Sequence, residues 1–432
     1  MRRRILMVLY YYPPIGSIGM MRTLRIARHL PDLGWEPLVL TVSEDTVAVI
    51  PCDTSEGELA VGRVFRSRNP DIEFKLKSLL GFNVHQHVDV ARYADAGGAA
   101  RLKARAARWA SDWNIPDRMV DWFPFGRRAA IDICRTYSPS VLFSCSPPET
   151  CHLIAASAKK KTGLPWVADM RDPWTYKVNE PRASLPTKLD GLLERRTLAA
   201  ADAISVISGP IAEEVRELLP GKPAHEIPNS FDEEAFAALE PIVSGELNLL
   251  HAGTLTYPHR DPRPLFRALR SLEAQGRDVS PLKLEFAGND SDIVEGIARE
   301  EGVVDHVRVL GLLPPREAIA REKGAQALLY LQYEPQGHVT PAAKVFEYMG
   351  AGRPVLAFAP TAGSADGIVS SSGAGQVVRN QQDIAAVLSG WLDEYQAAGS
   401  LSYRGSSEAV SRYGSLTMAR EFAKIFDDLA AR

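Results

Sequence analysis

Apolar residues in this chain recur in two ways, as short compact runs and as longer stretches with an apolar position every third or fourth residue. The first pattern predicts strands and the second predicts helices. Ile5–Tyr11 is a compact run of the kind expected for a strand covered on both faces. It leads into the glycine-bearing loop Pro13–Gly19, PPIGSIG. A helix is then predicted over Met21–Leu33, with apolar positions at Leu24, Ala27, Leu30 and Leu33 and a stop at Gly34. Pro37–Val42 is the next strand. Strand, glycine loop, helix and strand in that order open a doubly wound α/β domain.

From about Asp53 to Ala99 the pattern loosens. Gly62–Arg68 reads as a strand, and Gly81–Gly98 is ambiguous and open to an insertion. Alternation returns with strands at Val141–Cys145, Pro165–Asp169, Ala203–Ile207 and Ala224–Ile227. Between them lie a helix ending near Thr162 and helices at Leu185–Ala201 and Pro210–Leu219. Pro228–Glu234, PNSFDEE, reads as a hinge. A second α/β series follows, with strands at Leu247–Gly253, Leu282–Ala287, Val307–Leu310, Ala327–Leu331 and Pro354–Phe358. Helices at Gln382–Tyr395 and Leu416–Ala430 close the chain. The expected organisation is a Rossmann-like domain over 1–230, a second over 231–405, and a terminal helix within 406–432 that packs back on the first. Two such halves imply a cleft in which a ligand touches both.

Composition narrows the function classes. At 432 residues the chain is long enough for two domains, and its 45% hydrophobic and 24% charged content is that of an ordinary globular protein. A net charge of −3 argues against wholesale nucleic-acid binding. The cysteines (Cys52, Cys134, Cys145, Cys151) show neither metal-ligand spacing nor disulfide-framework density, which suggests a reduced, cytoplasmic setting. Arg2–Arg4 before an apolar run superficially suggests a signal peptide, but Pro13 and Pro14 follow without a small-residue cleavage site, so the run reads as a strand. No apolar run approaches the ~20 residues of a membrane span. Residues 101–128 carry seven Lys/Arg against three Asp, interleaved with Trp109, Trp113, Trp122, Phe123 and Phe125. Such a stretch can rest on an anionic membrane surface. The ordinary reading, which is favoured, turns its tryptophans into the core.

The stretch with the most pointed chemistry is His338–Pro354, HVTPAAKVFEYMGAGRP. Thr340 suits a helix N-cap, Pro341 the first helical position, and Gly350 and Gly352 the stop. Lys344 and Glu347, three apart, share one helix face. An uncapped helix N-terminus is a seat for phosphate, Lys344 adds positive charge, and a carboxylate one turn on can accept two ribose hydroxyls. A nucleoside diphosphate is the ligand this pattern suggests; a plain amphipathic helix is the alternative. In the N-terminal loop, Gly16 and Gly19 stand as G-x-x-G, open to either a structural turn or a phosphate cradle.

Several motifs in order resemble glycosyltransferase family 4, whose fold is the two-Rossmann-domain GT-B architecture. They are YYYPPIGSIGMMRTLRIARHLPDLGWEPLVLT, FSCSPPETCHL, ADMRDPW, IPNSFD, HAGTLTYPHRDPRPL, FAGND and AAKVFEYMGAGRPVLA, and they cover nearly the whole chain. The likeness to a branch concerned with bacterial surface polysaccharides lies in YYYPP, SPPET and DMRDPW. The resemblance implies retaining transfer of a sugar from a nucleoside-diphosphate sugar to a hydroxyl acceptor, lipid-linked or small, with no metal and no separate cofactor. It makes Glu347 the ribose-binding carboxylate and puts Arg260 and Lys344 near the diphosphate. The Gly16–Gly19 loop approaches the phosphates, and Gly253 and Thr340 complete the donor site.

Asp169, Arg171 and Asp172 end a strand where ligands bind in such sheets, so they are candidates for acceptor contact or for orienting the reaction centre. The alternative is an Arg–Asp pair that fixes the turn before Trp174. His152 and His251 are weaker candidates. The family's usual signature has a second glutamate eight positions before the ribose-binding one, and here that position is Val339. Thr254 also stands where the family often has arginine. A nucleotide-sugar epimerase and a non-catalytic partner protein on the same fold remain as competing readings.

Overall fold

A computed structural model of the chain describes residues 3–16, 19–44, 61–72, 75, 79, 113–175, 184–332, 340–361 and 363–432. Gly81–Gly98, the first part of the basic stretch at 101–112, His338 and Val339 lie outside the described residues. The chain divides into two compact units, residues 1–227 with 419–432, and residues 228–418.

The first unit is built on seven parallel strands: β1 (Arg3–Val8), β2 (Trp35–Val42), β3 (Arg63–Ser67), β4 (Val141–Ser146), β5 (Trp166–Met170), β6 (Ala203–Val206) and β7 (Ala224–Glu226). Their order across the sheet is β3-β2-β1-β4-β5-β6-β7. The described helices are α1 (Met20–His29), α2 (Phe123–Tyr137), α3 (Thr150–Thr162), α4 (Ser184–Ala199) and α5 (Gly209–Leu218). Ile5–Val8 and all of β4 and β5 are buried, as strands covered by helices on both faces must be. Strand order reverses between β1 and β4, which pair directly, so the loops leaving their carboxyl ends part and open a crevice there.

Of the tryptophans in the basic stretch, Trp122 lies in the core and donates its indole N–H to Ser67, whereas Trp113 is 42% exposed. The core reading therefore holds for one of these two and fails for the other. The helix Phe123–Tyr137 was not anticipated, because its apolar positions are mixed with Arg127, Arg128 and Arg135.

The second unit holds α6 (Glu233–Ala238) and six parallel strands: β8 (Leu247–Ala252), β9 (Leu282–Ala287), β10 (Val307–Gly311), β11 (Ala327–Leu331), β12 (Val355–Phe358) and β13 (Gly375–Val378). They run in the order β10-β9-β8-β11-β12-β13, reversing between β8 and β11. Its other helices are α7 (Arg263–Ala274), α8 (Ser291–Glu301), α9 (Pro315–Gly324), α10 (Ala343–Ala351), α11 (Ser364–Ser372), α12 (Gln381–Ala398) and α13 (Ser407–Ser411). β13 escaped the hydrophobic pattern because only Val378 of its four residues is buried.

The last helix, α14 (Ser415–Ala430), contributes its residues from Ala419 onward to the first unit. Phe422 and Phe426 are fully buried there against Phe143, with Phe426 also edge-on to Trp35.

Candidate functional site

Each unit presents its sequence-marked residues at its own strand-order reversal. In the second unit, β8 ends at Ala252 and the chain turns through Gly253, whose φ of 149° favours glycine. Gly253 N–H donates to Ala287 O (2.7 Å), and a side chain at Gly288 would lie 2.5 Å from Gly253 O. The two glycines let the β8 and β9 loops close on one another. Beside them is a small pocket lined by Gly253, Leu255, Gly288, Asp290 and Ser291, among others. Asp290 fixes its rim by accepting Leu255 N–H (2.6 Å).

Helix α10 is held onto this point by Tyr348. Its buried hydroxyl accepts Ala252 N–H (2.9 Å) from β8 and donates to Leu329 O (3.4 Å) of β11. Phe346, fully buried, packs the helix down from the same side of the unit. The helix differs from the sequence expectation at both ends. Thr340 does not cap it and Pro341 is not its first residue, because the helix begins at Ala343 behind an extended Ala342. Ala342 N–H reaches the Tyr330 hydroxyl (3.4 Å), which holds that residue outside the helix. Among the described residues, Ala342 at the N-cap supplies no side-chain cap. Gly350 is interior, not a stop: a side chain there would meet the Phe231 ring at 2.6 Å. Gly352, left-handed at φ 62°, ends the helix.

Lys344 and Glu347 do share a face. The ammonium donates to Glu347 Oε2 at 2.7 Å and lies 3.5 Å from Glu322 Oε1 on α9. Glu322 is fully buried, and among the described residues neither of its carboxylate oxygens has a hydrogen bond. Burial pushes its carboxyl up to about 7, with the repulsion of Glu347 added and the attraction of Lys344 opposed. For Lys344, burial works to lower the ammonium, but Glu347 and Glu322 together hold it above the usual lysine range. The Lys344 stem lies against the Gly253 turn, where an added side chain would be 3.6 Å from Lys344 Cγ.

Arg260 projects from the loop after β8 and donates to Thr254 O (2.8 Å). Thr254, in place of the family's frequent arginine, is exposed. His251 is buried at the end of β8, with Nδ1 3.0 Å from Leu329 O. Burial lowers its pKa to about 4; the Leu329 bond opposes this, and the positive charges of Arg260 and Lys344 reinforce it. The imidazole is therefore neutral near pH 7.

In the first unit, Gly16 lies buried in the loop after β1, and Gly19 stands at the N-terminus of α1. The Arg171 guanidinium fills the space a side chain at Gly19 would take, with Arg171 Nη1 1.7 Å from that Cβ position. Arg171 also donates to Ser146 O (3.0 Å) and Pro147 O (2.9 Å). It thereby ties the end of β4 to the glycine loop. Asp172 is exposed.

Asp169 is not presented to a ligand. It is fully buried and paired with Arg22 of α1 by two bonds of 2.9 Å, and it also accepts from Ser205 (2.9 Å) and Cys145 (3.1 Å). Burial raises its carboxyl, but Arg22 outweighs that and leaves it below the ordinary value. The pair fixes α1 to the sheet, a structural role. His152 is likewise interior, bonded to Ser144 (2.8 Å) and set between Trp166 and Trp174, and burial holds it neutral with a pKa of about 4.

Three participants escaped the sequence reading. Arg22, in MMRTLR, carries no mark separating it from a solvated helix arginine. Glu322, in REKG, stands among charged residues at the end of a helix and carries no mark of burial. Asp290 lies within FAGND, a motif that carried the family resemblance but gave its aspartate no role. Among the described residues, no group of three or more His, Cys, Asp or Glu comes together as a metal site.

Residues 20–230 match the family described as the glycosyl transferase 4-like domain. Comparison with curated protein sequences gives no match. Solved structures align over nearly the whole length. A glycosyltransferase from Rickettsia africae shares 12% identity at a TM-score of 0.61, covering 99% of this chain and 98% of its own. Anabaena HepE in complex with UDP shares 14% at 0.62, covering 98% and 100%. TarM shares 10% at 0.63, covering 99% of each. Two parallel-sheet units and these neighbours define the GT-B fold. Over residues 20–230 the chain therefore carries a glycosyl transferase 4-like domain.

Proposed function

We propose that this chain moves a sugar from a nucleoside-diphosphate sugar to a hydroxyl acceptor, with retention at the anomeric carbon and without a metal. The observation that carries the reading is the half-buried Lys344–Glu347 pair on α10, just behind the helix N-terminus and against Gly253. Glu347 accepts the ribose hydroxyls. Lys344, Arg260 and the positive N-terminal end of α10 face the diphosphate, and these fixed positive groups stabilise the charge that builds on it as the sugar leaves. The departing phosphate oxygen takes the acceptor proton, so no protein nucleophile is required. HepE, a neighbour in fold, has been seen with UDP and with UDP and glucose, which makes a uridine nucleotide the first donor to try.

Arg171 and Asp172 are the proposed acceptor-side groups, with the Gly16–Gly19 loop approaching the phosphates. The acceptor is a glycan or a lipid-linked hydroxyl in polysaccharide or glycoconjugate synthesis, handled at the cytoplasmic face of the membrane. Among the described residues no helix is long and apolar enough to cross a membrane.

A thermal-shift screen with UDP, GDP, ADP and their sugar conjugates tests the donor, because a ligand bound only to the native state raises the melting temperature by mass action. The reading expects one nucleotide series to stand out. Turnover of the selected donor only when an acceptor is present supports transfer. Release of free sugar or an epimer without acceptor supports the epimerase reading, and no shift with any nucleotide contradicts both.

A further inference from the structure

Helix α4 (Ser184–Ala199) buries Leu198 and packs Leu193 on the core, but turns its other three leucines outward. Its exposed positions include Leu185 at 56%, Leu189 at 42% and Leu192 at 55%, together with the exposed Lys188, Arg195 and Arg196. At 3.6 residues per turn these six fall within an arc of about 120°. The opposite side, turned into the first unit, buries Asp190, Glu194 and Thr197. Asp190 accepts the Trp174 indole N–H (2.8 Å), and Glu194 accepts the Thr175 hydroxyl, so the inward carboxylates have work to do on the turn that follows Arg171 and Asp172. A helix of a soluble unit ordinarily puts leucine inside and carboxylate outside. Holding these positions the other way round leaves three leucines in water, and stability of the unit does not account for that.

The charges on the arc say what covers it. Lys188, Arg195 and Arg196 form no ion pair or hydrogen bond among the described residues, and the arc carries no acidic side chain. A second copy meeting this face symmetrically would bring like charges together. An anionic bilayer supplies what both sets of side chains lack, an apolar layer for the leucines and phosphate headgroups for the cations. We propose that the outer face of α4 is a membrane-docking surface for anionic lipid, with Leu185, Leu189 and Leu192 entering the headgroup boundary and Lys188, Arg195 and Arg196 resting on phosphates. This surface is separate from the basic stretch at 101–128 and does not depend on the donor reading.

The test is co-sedimentation of the full chain with vesicles of neutral phosphatidylcholine, alone or with about 30% phosphatidylglycerol, at low and high salt. The proposal expects binding to the anionic vesicles that weakens with salt. It expects that binding to be lost in the triple variant L185Q/L189Q/L192Q and weakened about a hundredfold in K188Q/R195Q/R196Q. All six side chains are exposed, so both variants should melt with the wild type, and that measurement checks their folding. Absence of wild-type binding overturns the proposal. So does wild-type-like binding by the leucine variant, which would move the contact to another surface. A wild-type dimer that the leucine variant converts to monomer, without vesicle binding, assigns the face to a second copy and also overturns it.

Discussion

Lys344 donates to Glu347 across 2.7 Å on one face of α10, so the cation and the carboxylate assigned to opposite ends of a nucleotide neutralise each other in the free protein. On the proposed reading, a bound nucleotide competes with that pair, its ribose hydroxyls for the carboxylate and its diphosphate for the ammonium. Glu322, wholly buried, lies 3.5 Å from the same ammonium.

Removing the cation exposes that arrangement. In Lys344→Ala the two carboxylates are left facing each other. The expected stability loss is roughly 1–3 kcal/mol, below the value for a fully buried pair because the Lys344 side chain is 35% exposed. The loss should be smaller at pH 5 than at pH 8, since Glu322 is protonated at the lower pH. Chemical denaturation at the two pH values checks this; equal losses would show that the carboxylates do not repel in the folded state.

Glu322 itself makes stability depend on pH. Its carboxyl is raised from 4.5 to about 7 on folding, so the fold prefers it protonated. For a group raised in this way, the stability it contributes is fully present below about 4.5 and is lost as pH rises through 7. Glu322→Gln mimics the protonated form at every pH. The variant should match the wild type near pH 4.5 and exceed it above pH 7, by roughly 3 kcal/mol at most. Urea titrations across that range measure the difference, and a variant less stable at pH 8 would contradict the raised value.

Arg22 and Asp169 predict a different kind of loss. Each is almost completely buried, so Arg22→Ala leaves an uncompensated carboxylate in the core and should cost about 3–5 kcal/mol. Asp172→Ala removes an exposed group and should leave the melting temperature unchanged. If Arg22→Ala melts with the wild type, the pair does not hold α1 to the sheet.

Gly350 separates helix propensity from packing. Alanine gains up to about 1 kcal/mol of helix propensity over glycine, but its methyl would lie 2.6 Å from the Phe231 ring and 2.9 Å from that of Phe236. The clash should win, with a net loss of roughly 1–3 kcal/mol. A stabilised Gly350→Ala would mean that the two rings are free to move aside.

Much of this architecture was legible in the sequence because parallel strands covered on both faces must be almost wholly apolar. Ile5–Val8, Val141–Ser146 and Leu247–Ala252 announce themselves in that way, and Gly16 and Gly253 mark the loops after the first and last of them. Lys344 and Glu347 were readable because helical spacing fixes which residues share a face. What escaped were effects of burial on polar residues. Nothing in REKG says that Glu322 points inward, and nothing in DMRDPW says that Asp169 is spent on Arg22 from a helix far away in sequence. α4 misleads in the opposite sense, since its leucine spacing suggests a core face that the structure turns outward. Thr340 and Pro341 have the composition of a helix start, yet a contact from Tyr330 on a neighbouring strand moves the start to Ala343.

The central claim is that the α10 face binds a nucleotide through Glu347, and calorimetric titration of UDP into the wild type and Glu347→Ala tests it most directly. Loss of two hydrogen bonds to a charged acceptor should weaken binding at least about tenfold while the melting temperature of the free protein changes little. UDP that binds both proteins equally well would contradict the account.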